Sequence, residues 1–412
     1  MEQHPGRASV RNGGSMRRTL AGLVMGCGVL LALGTGYLLT LAIAALCGPR
    51  VVPMPLDRRR MRFLVLVPAH NEVPIVAHTV RALLALDYPR NAFEVIVVAD
   101  NCDDRTADVA AAAGATVLSR SNPTQRGKGY AIAWAVERLQ ARDRDWEAVA
   151  VLDADCTPSP NLLTAMESRL RSGAAAVQVN NVVGNPEDSW SSALRFAAFA
   201  LINTVRPRGK ERLGLSSGLF GTGMGLSRGL LERVPWSSFS LAEDGEYHFR
   251  VVAAGERAAF AREAAVVSAM PTSLRQARSQ QLRWEGGRWQ LIRNWTPRLL
   301  RAGWRARDAR TAVIALEPLI PPQSLLIAGN VLLAVLAVAL RSRAARAIAV
   351  GNLIGQAAFV LGGLALVRAP AAVYRSLALA PVLVVWKVAL WGRVVSGRGV
   401  TRWVRTERTT ST

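Results

Sequence analysis

Residues 19–47 run without a single charged side chain. In hydrocarbon every backbone N–H and C=O must be satisfied within the segment, so 29 such residues predict a membrane-spanning helix. A secretory signal would have a shorter apolar core and a small-residue cleavage site, so the helix is read as retained. Near the other end, residues 319–340 and 347–367 are also uncharged, and 376–391 is interrupted only by Lys387, whose stem can snorkel. One N-terminal and about three C-terminal membrane helices are expected. Both flanks of the first are basic, with Arg17 and Arg18 before it and Arg50, Arg58, Arg59, Arg60 and Arg62 after it. The positive-inside rule therefore gives that helix no direction. A cytoplasmic soluble part and a cytoplasmic basic tail (393–412) require an even number of crossings after residue 310. Either 311–322 forms a re-entrant piece, or the last apolar run does not cross.

Between about residue 60 and 270 the character is that of a soluble α/β domain. Apolar runs at 63–68, 93–98 and 148–152 alternate with segments of helical spacing at 75–86, 106–113 and 126–139, with a short run at 115–118. Continuous apolar runs separated by helices predict a doubly wound, mostly parallel sheet. Each long run ends in polar residues: Pro68, Asn71 and Glu72 after the first, Asp100 and Asp103 after the second, Asp153 and Asp155 after the third. Open α/β sheets bind ligands beyond the carboxyl ends of their strands. Carboxylates gathered there repel one another unless something positive lies between them. A hard divalent ion suits Asp153 and Asp155, one residue apart, and leaves coordination positions for phosphate oxygens. Taken alone, an Asp-x-Asp at a strand end reads more readily as an acidic N-cap after the strand, and Glu243-Asp244 more readily as a helix N-terminus using its dipole.

The remaining features narrow the function class. Only three of the 51 basic residues are lysines, Lys128, Lys210 and Lys387, and Lys128 stands between two glycines as a candidate for a base or phosphate contact. The net charge of +22 comes from arginine without any basic, aromatic RNA-binding motif, so the charge points to a membrane surface and not to nucleic acid. Four scattered cysteines and four histidines make neither a disulfide framework nor a zinc site, which fits a reduced, cytosolic catalytic part. Residues 271–310 hold ten arginines and four tryptophans among leucines, the composition of helices lying in a membrane interface.

Read in order, Pro-x-x-Asn-Glu, Asp100, Gly-Lys-Gly, Asp-Ala-Asp, Gly-Thr-Gly, Glu-Asp and Gln-x-x-Arg-Trp resemble the membrane-bound inverting glycosyltransferases of family 2. Cellulose and hyaluronan synthases and exopolysaccharide N-acetylglucosaminyltransferases belong to that group. The resemblance covers about residues 60–290 and implies a GT-A-like fold. It implies that Pro68, Asn71, Glu72, Asp100 and Lys128 hold the nucleotide, a uridine diphosphate sugar. Asp153 and Asp155 would hold the diphosphate with Mg²⁺ or Mn²⁺, and Asp244 would be the general base. Gly221, Thr222 and Gly223 with Glu243, Gln280, Arg283 and Trp284 would close over the diphosphate and acceptor. The chain departs from the family pattern at Ala242, where a threonine is usual, and in the loop Asp100-Asn-Cys-Asp-Asp, where Asp-Asp-Gly-Ser is commoner.

The domain organisation expected is a basic tail (1–18), a membrane helix (19–47), a catalytic domain (60–270), interfacial helices (271–310), about three membrane helices (311–392) and a basic tail (393–412). The protein would sit in a bacterial-type inner or plasma membrane with the catalytic domain in the cytoplasm. Its partners would be a nucleotide sugar and a lipid or glycan acceptor, with a second copy or an export partner if a long polymer is moved. Three other readings compete. A membrane assembly subunit with a degenerate transferase domain would bind no donor. A sugar-nucleotide pyrophosphorylase would need neither the Gln-x-x-Arg-Trp segment nor membrane helices. A dinucleotide oxidoreductase would need glycine after the first strand, where the chain has Pro-Ala-His-Asn-Glu.

Overall fold

The structure, a computed structural model, describes residues 7–48, 59–142 and 145–396, without the side chains of residues 7–18 and Arg142. Residues 1–6, 49–58, 143–144 and 397–412 lie outside the described residues. A long helix, α1 (Arg7–Leu46), precedes the soluble part. Its helical backbone begins within the basic stretch, before the apolar run.

The soluble part opens β1 (Phe63–Ala69), α2 (Val76–Leu84), β2 (Phe93–Asp100), α3 (Thr106–Ala112), β3 (Thr116–Arg120), α4 (Lys128–Arg142) and β4 (Ala148–Val151). It continues through β5 (Cys156–Pro158), α5 (Leu162–Arg171), β6 (Ala176–Val183), α6 (Trp190–Phe199), α7 (Arg206–Arg212), β7 (Met224–Ser227), α8 (Arg228–Arg233), α9 (Glu243–Ala253) and β8 (Ala258–Ser268). The strands form one sheet of order β3-β2-β1-β4-β7-β6-β8-β5. Its first four strands are parallel, as the apolar runs predict, and the β7 and β5 pairings are antiparallel. The sheet is thus mixed, with β6 and β8 parallel and a register shift between Val179 and Asn180.

Alternate residues of the central strands feed two cores. Phe63, Val65, Val67, Val95 and Val97 face α2, α3 and α5, while Leu64, Leu66, Ile96 and Val98 face α4, α8 and α9. Both faces of these strands are apolar because both are covered, which is why they read as unbroken hydrophobic runs. At the amino end of β1, Glu167 of α5 is fully buried. It accepts from Arg60 Nε (2.7 Å), Arg171 Nε (2.8 Å), the Met61 amide (2.9 Å) and the Tyr88 hydroxyl (2.8 Å). Burial works against its charge, but these donors prevail and hold the carboxyl below its ordinary range.

The remaining helices are α10 (Leu274–Asn294), α11 (Thr296–Ala306), α12 (Ala309–Leu316), α13 (Gln323–Ala339), α14 (Arg343–Leu366), α15 (Ala371–Ser376) and α16 (Ala380–Val395). Among the described residues three stretches are long and apolar enough to cross a membrane, Thr19–Leu46, Arg343–Leu366 and Ala371–Val395. The pair Ala309–Leu319 and Gln323–Ala339, bent by 72°, passes the same test only when taken together, as a broken span or a re-entrant loop. The bend falls at Pro318, Pro321 and Pro322, where proline removes donors and stops the helix. Arg288 of α10 satisfies the carbonyls freed there, donating to Pro318 O (3.0 Å) and to Ile320 O. Glu317, in the same bend, pairs with Arg206 and with Lys210 (3.1 Å) of α7.

Packing separates the two halves of that pair. Ile314 and Ala315 of α12 pack with Phe249 and Val252 of α9 on the soluble part, whereas α13 packs with α1 and α14. Leu333 of α13 and Ile348 of α14 meet α1 at Gly28, and Gly355 of α14 meets Thr35. Gly363, near the end of α14, returns to Leu201 and Val205 beside α6. The last apolar stretch stays close to the soluble part at both ends. Val373 and Leu377 pack on α6, and Trp386, Leu390 and Val394 pack around Leu282 of α10.

Glu167→Ala strips four donors of their shared acceptor in a buried position. Unfolding of the purified protein in detergent should show a loss of roughly 3–5 kcal/mol, the range for breaking a buried ion pair; an unchanged midpoint would show that Arg60, Arg171 and Tyr88 find other partners.

Candidate active site

The site lies beyond the carboxyl ends of β1, β2 and β4, and strand polarity explains what gathers there. β7 runs antiparallel to β4 with Met224 opposite Val151, so Gly221, Thr222 and Gly223 arrive beside Asp153. Gly221 and Gly223 both have positive φ, +81° and +68°. A Cβ on Gly223 would come 2.5 Å from Val179 Cγ2, so only glycine allows the loop to lie this close to β6. The Thr222 hydroxyl accepts from the Asp153 amide (3.1 Å). Beneath the loop, the fully buried Gln178 of β6 donates to Thr222 O (2.8 Å) and accepts from the Phe220 amide (2.9 Å).

Lys128 is the centre of the arrangement. Its Nζ pairs with Asp153 and donates to Gly221 O (2.6 Å), at the first residue of α4. Burial works against the ammonium, but Asp153, Glu243 and Asp244 outweigh it and raise the pKa, so Lys128 is a fixed cation. The glycines beside it have separate reasons. Gly127 has φ +125°, and a Cβ on Gly129 would lie 2.2 Å from Ser238 O. Family resemblance suggested Lys128 near Asp100; the structure sets it on Asp153. Asp100 is paired instead with Arg120 at the end of β3 (2.6 Å, buried) and accepts from Asn101 Nδ2 (3.0 Å).

The loops after β1 and β2 clasp each other. Asn71 Nδ2 donates to Asp103, and the Asp103 amide donates back to Asn71 Oδ1 (3.0 Å). The Glu72 amide donates to Thr106 Oγ1 (2.8 Å), and His70 Nδ1 lies 2.9 Å from Asp100 O. Asn71 and Asn101 both take left-handed backbone, which asparagine tolerates better than most side chains. Pro68 sits in β1 opposite Val98.

Glu243 and Asp244 occupy the first turn of α9, where Ala242 supplies no side-chain cap. A Cβ on Gly221 would lie 3.3 Å from Asp244 Oδ2 and 3.6 Å from Lys128 Nζ, so base candidate, cation and glycine loop meet at one point. Burial pushes Glu243 up to about 7, with repulsion from Asp244 second, against the pull of Lys128 and Arg283. Burial also raises Asp244, against a hydrogen bond from the Gly245 amide (2.8 Å) and the Lys128 charge.

Helix α10 closes this side. A Cβ on its Gly287 would lie 2.7 Å from Ala242 Cβ, and one on Gly245 would lie 2.8 Å from Leu291 Cδ1. The small Ala242 is thus matched to a glycine on α10. Arg283 is within electrostatic reach of Glu243, Trp284 packs on Phe199 of α6 (ring centroids 5.6 Å), and the buried Gln280 Oε1 lacks a hydrogen-bond partner.

The sequence reading missed Arg120 and Gln178. A lone amide inside the apolar run Ala-Val-Gln-Val was the available signal for Gln178, since a buried amide needs a partner; Arg120 carried none. Among the described residues no group of three or more His, Cys, Asp and Glu forms a metal cluster. The donor set at Asp153 and half-buried Asp155 fits a hard cation that takes its other oxygens from a diphosphate and water.

A family model described as "Glycosyltransferase like family 2" matches residues 60–287, more than half of the chain. The chain belongs to glycosyltransferase family 2. It is 27% identical over 233 residues to a Bacillus subtilis protein named "Probable glycosyltransferase YdaM", covering 54% of each chain. It is 28% identical over 194 residues to the beta-monoglucosyldiacylglycerol synthase of Trichormus variabilis, covering 45% of this chain and 40% of that one. The chain spans about half the length of these curated relatives or less. Among solved structures it is similar to a mannosyltransferase from Pyrobaculum calidifontis in complex with GDP-Man and Mn²⁺, at TM-score 0.51 and 20% identity. That match covers 82% of this chain and 99% of the other, and at such identity it speaks for the fold, which is GT-A.

Gly129→Ala forces α4 away from Ser238 and withdraws Lys128 from Asp153. A misplacement on the order of 1 Å costs ~10²-fold in rate, so donor turnover should fall about that far, with a lowered melting temperature as well because the clash is with backbone. Activity at the native level would mean that Lys128 has slack the packing does not suggest.

Proposed function

We propose that the protein is an inverting transferase that moves a hexosyl or N-acetylhexosaminyl group from a uridine diphosphate sugar to a membrane-associated lipid or growing glycan. The observation that carries this reading is the meeting of Lys128, Asp153, Gly221 and Asp244 at the end of β4. Asp100, fixed by Arg120, and the Asn71–Asp103 clasp would border the nucleotide base. Asp153 and Asp155 would hold Mg²⁺ or Mn²⁺, which when bound offsets negative charge on the diphosphate.

The residues of the chain then divide the chemistry. Asp244 takes the proton of the acceptor hydroxyl as its oxygen bonds to the anomeric carbon. The bond from that carbon to the diphosphate breaks on the opposite face, and the nucleoside diphosphate leaves. Lys128, held as a cation, and Arg283 stabilise the charge that builds on the leaving group. Trp284 offers a flat face to the acceptor sugar, and α10 with the glycine loop excludes water.

Packing also supports a topology. With α13 leaving the soluble part and α14 returning to it, and with both ends of the last apolar stretch tied to α6 and α10, two crossings follow residue 310. The catalytic domain and the end of α16 would then share the cytoplasmic side, with no re-entrant segment required.

Asp244→Asn should lower sugar transfer to membranes by on the order of 10²–10⁴-fold, the usual yield of a general base, while UDP affinity with Mn²⁺ stays near native. Transfer undiminished in that variant would remove Asp244 as the base, and transfer surviving full chelation would remove the metal.

A base must be ionised to act, and burial raises Asp244 and Glu243. The acid limb of kcat/KM should therefore fall off as pH drops through a value above the ordinary aspartate range. Flat activity down to pH 4 would contradict it.

A further inference from the structure

Where α6, α10 and α16 meet, the buried charges do not balance. Arg195 of α6 is 4% exposed, and its Nε and Nη2 have no hydrogen-bond partner. Its guanidinium lies over the Trp386 ring (6.0 Å) on α16. The next residue, Lys387, spends its ammonium on Glu285 (2.5 Å) and Gln281 of α10. Arg195 and Arg288 are both close enough to repel Lys387. Lys387 and Arg288 share Glu285, and Arg288 also faces Glu317, whereas no acid offsets burial at Arg195, which lowers its pKa to about 10. The other unpaired groups on these helices are Ser191 Oγ, one turn before Arg195, Trp391 Nε1, one turn after Lys387, and one acceptor, Gln280 Oε1 on α10.

A buried guanidinium with unpaired N–H groups is costly. Donors and positive charge in excess over acceptors call for an anion with several oxygens. The place selects its source, because α6 packs on the start of the apolar Ala371–Val395 stretch through Val373 and Leu377, and that stretch, which includes α16, is largely exposed.

We infer that Arg195, with Lys387, Ser191 and Trp391, forms a binding site for the phosphate headgroup of an anionic membrane lipid at the junction of α6, α10 and α16. The site lies behind Trp284, which packs on Phe199 of the same α6. It rests on the transferase reading only in that a phosphate-bearing acceptor, or a lipid that docks α10, would use it.

The test uses the full chain in nanodiscs containing phosphatidylcholine with a minor share of phosphatidic acid, and native mass spectrometry of the lipid that the protein retains. Wild type should retain one phosphatidic acid at least tenfold above its share. Arg195→Gln should lose that enrichment, Arg195→Lys should keep part of it, and Arg305→Gln on the exposed face of α11 should keep all of it. Equal retention by Arg195→Gln, or no preference over phosphatidylcholine, overturns the site. Displacement by millimolar glycerol 3-phosphate overturns its assignment to a lipid. Should Arg195→Gln fail to fold, a photoreactive phosphatidic acid on wild type must crosslink to α6 or α16, and crosslinks confined to other helices overturn the site. UDP binding measured on the same samples separates the two readings, since its loss in wild type defeats the transferase reading without touching lipid retention.

Discussion

The contact between Lys128 and Asp153, shared with the Gly221 carbonyl, is the constraint on which the rest of the site depends. It joins three segments far apart in sequence: the first residue of α4, the exit of β4 and the loop before β7. An ammonium enclosed in this way is tolerable only because three carboxylates surround it, and those carboxylates can crowd together only because it is there. Each feature around it serves that mutual dependence. Gly129 lets α4 approach Ser238, Gly223 lets the loop approach β6, and Gln178 satisfies the loop from below.

The parts legible in the sequence are those where a local pattern and the tertiary outcome share one cause. β1, β2 and β4 are apolar throughout because both faces are covered, and their polar exits mark the ligand edge. The antiparallel half of the sheet was hidden. β7 has four residues and begins in a glycine-rich loop, while β8 is largely alanine, which carries no period that distinguishes strand from helix. The partner of Lys128 was hidden for another reason. It is set by how α4 sits on Ser238 and how β7 turns back on β4, and neither is a property of the residues near Lys128.

The membrane helices illustrate a similar boundary. Hydropathy reports length and not direction, so the number of crossings could not be fixed from uncharged runs alone. Lys387 reads in isolation as a residue that snorkels toward water. In the fold it turns to Glu285 and Gln281, and an ion pair between the last apolar helix and α10 replaces solvent. The Ala242 departure also gains a physical meaning, since its methyl faces Gly287 and a larger side chain would push α10 outward.

Helix α10 is one unbroken rod of 21 residues. Arg283 and Trp284 lie on it, and so do the two residues that grip the membrane helices, Glu285 toward α16 and Arg288 toward the bend before α13. These four positions span less than two turns, with Gly286 and Gly287 between Glu285 and Arg288. A shift of α16 is therefore passed through Glu285 straight to its neighbours Arg283 and Trp284, whereas a shift of the bend before α13 reaches them only across a glycine pair.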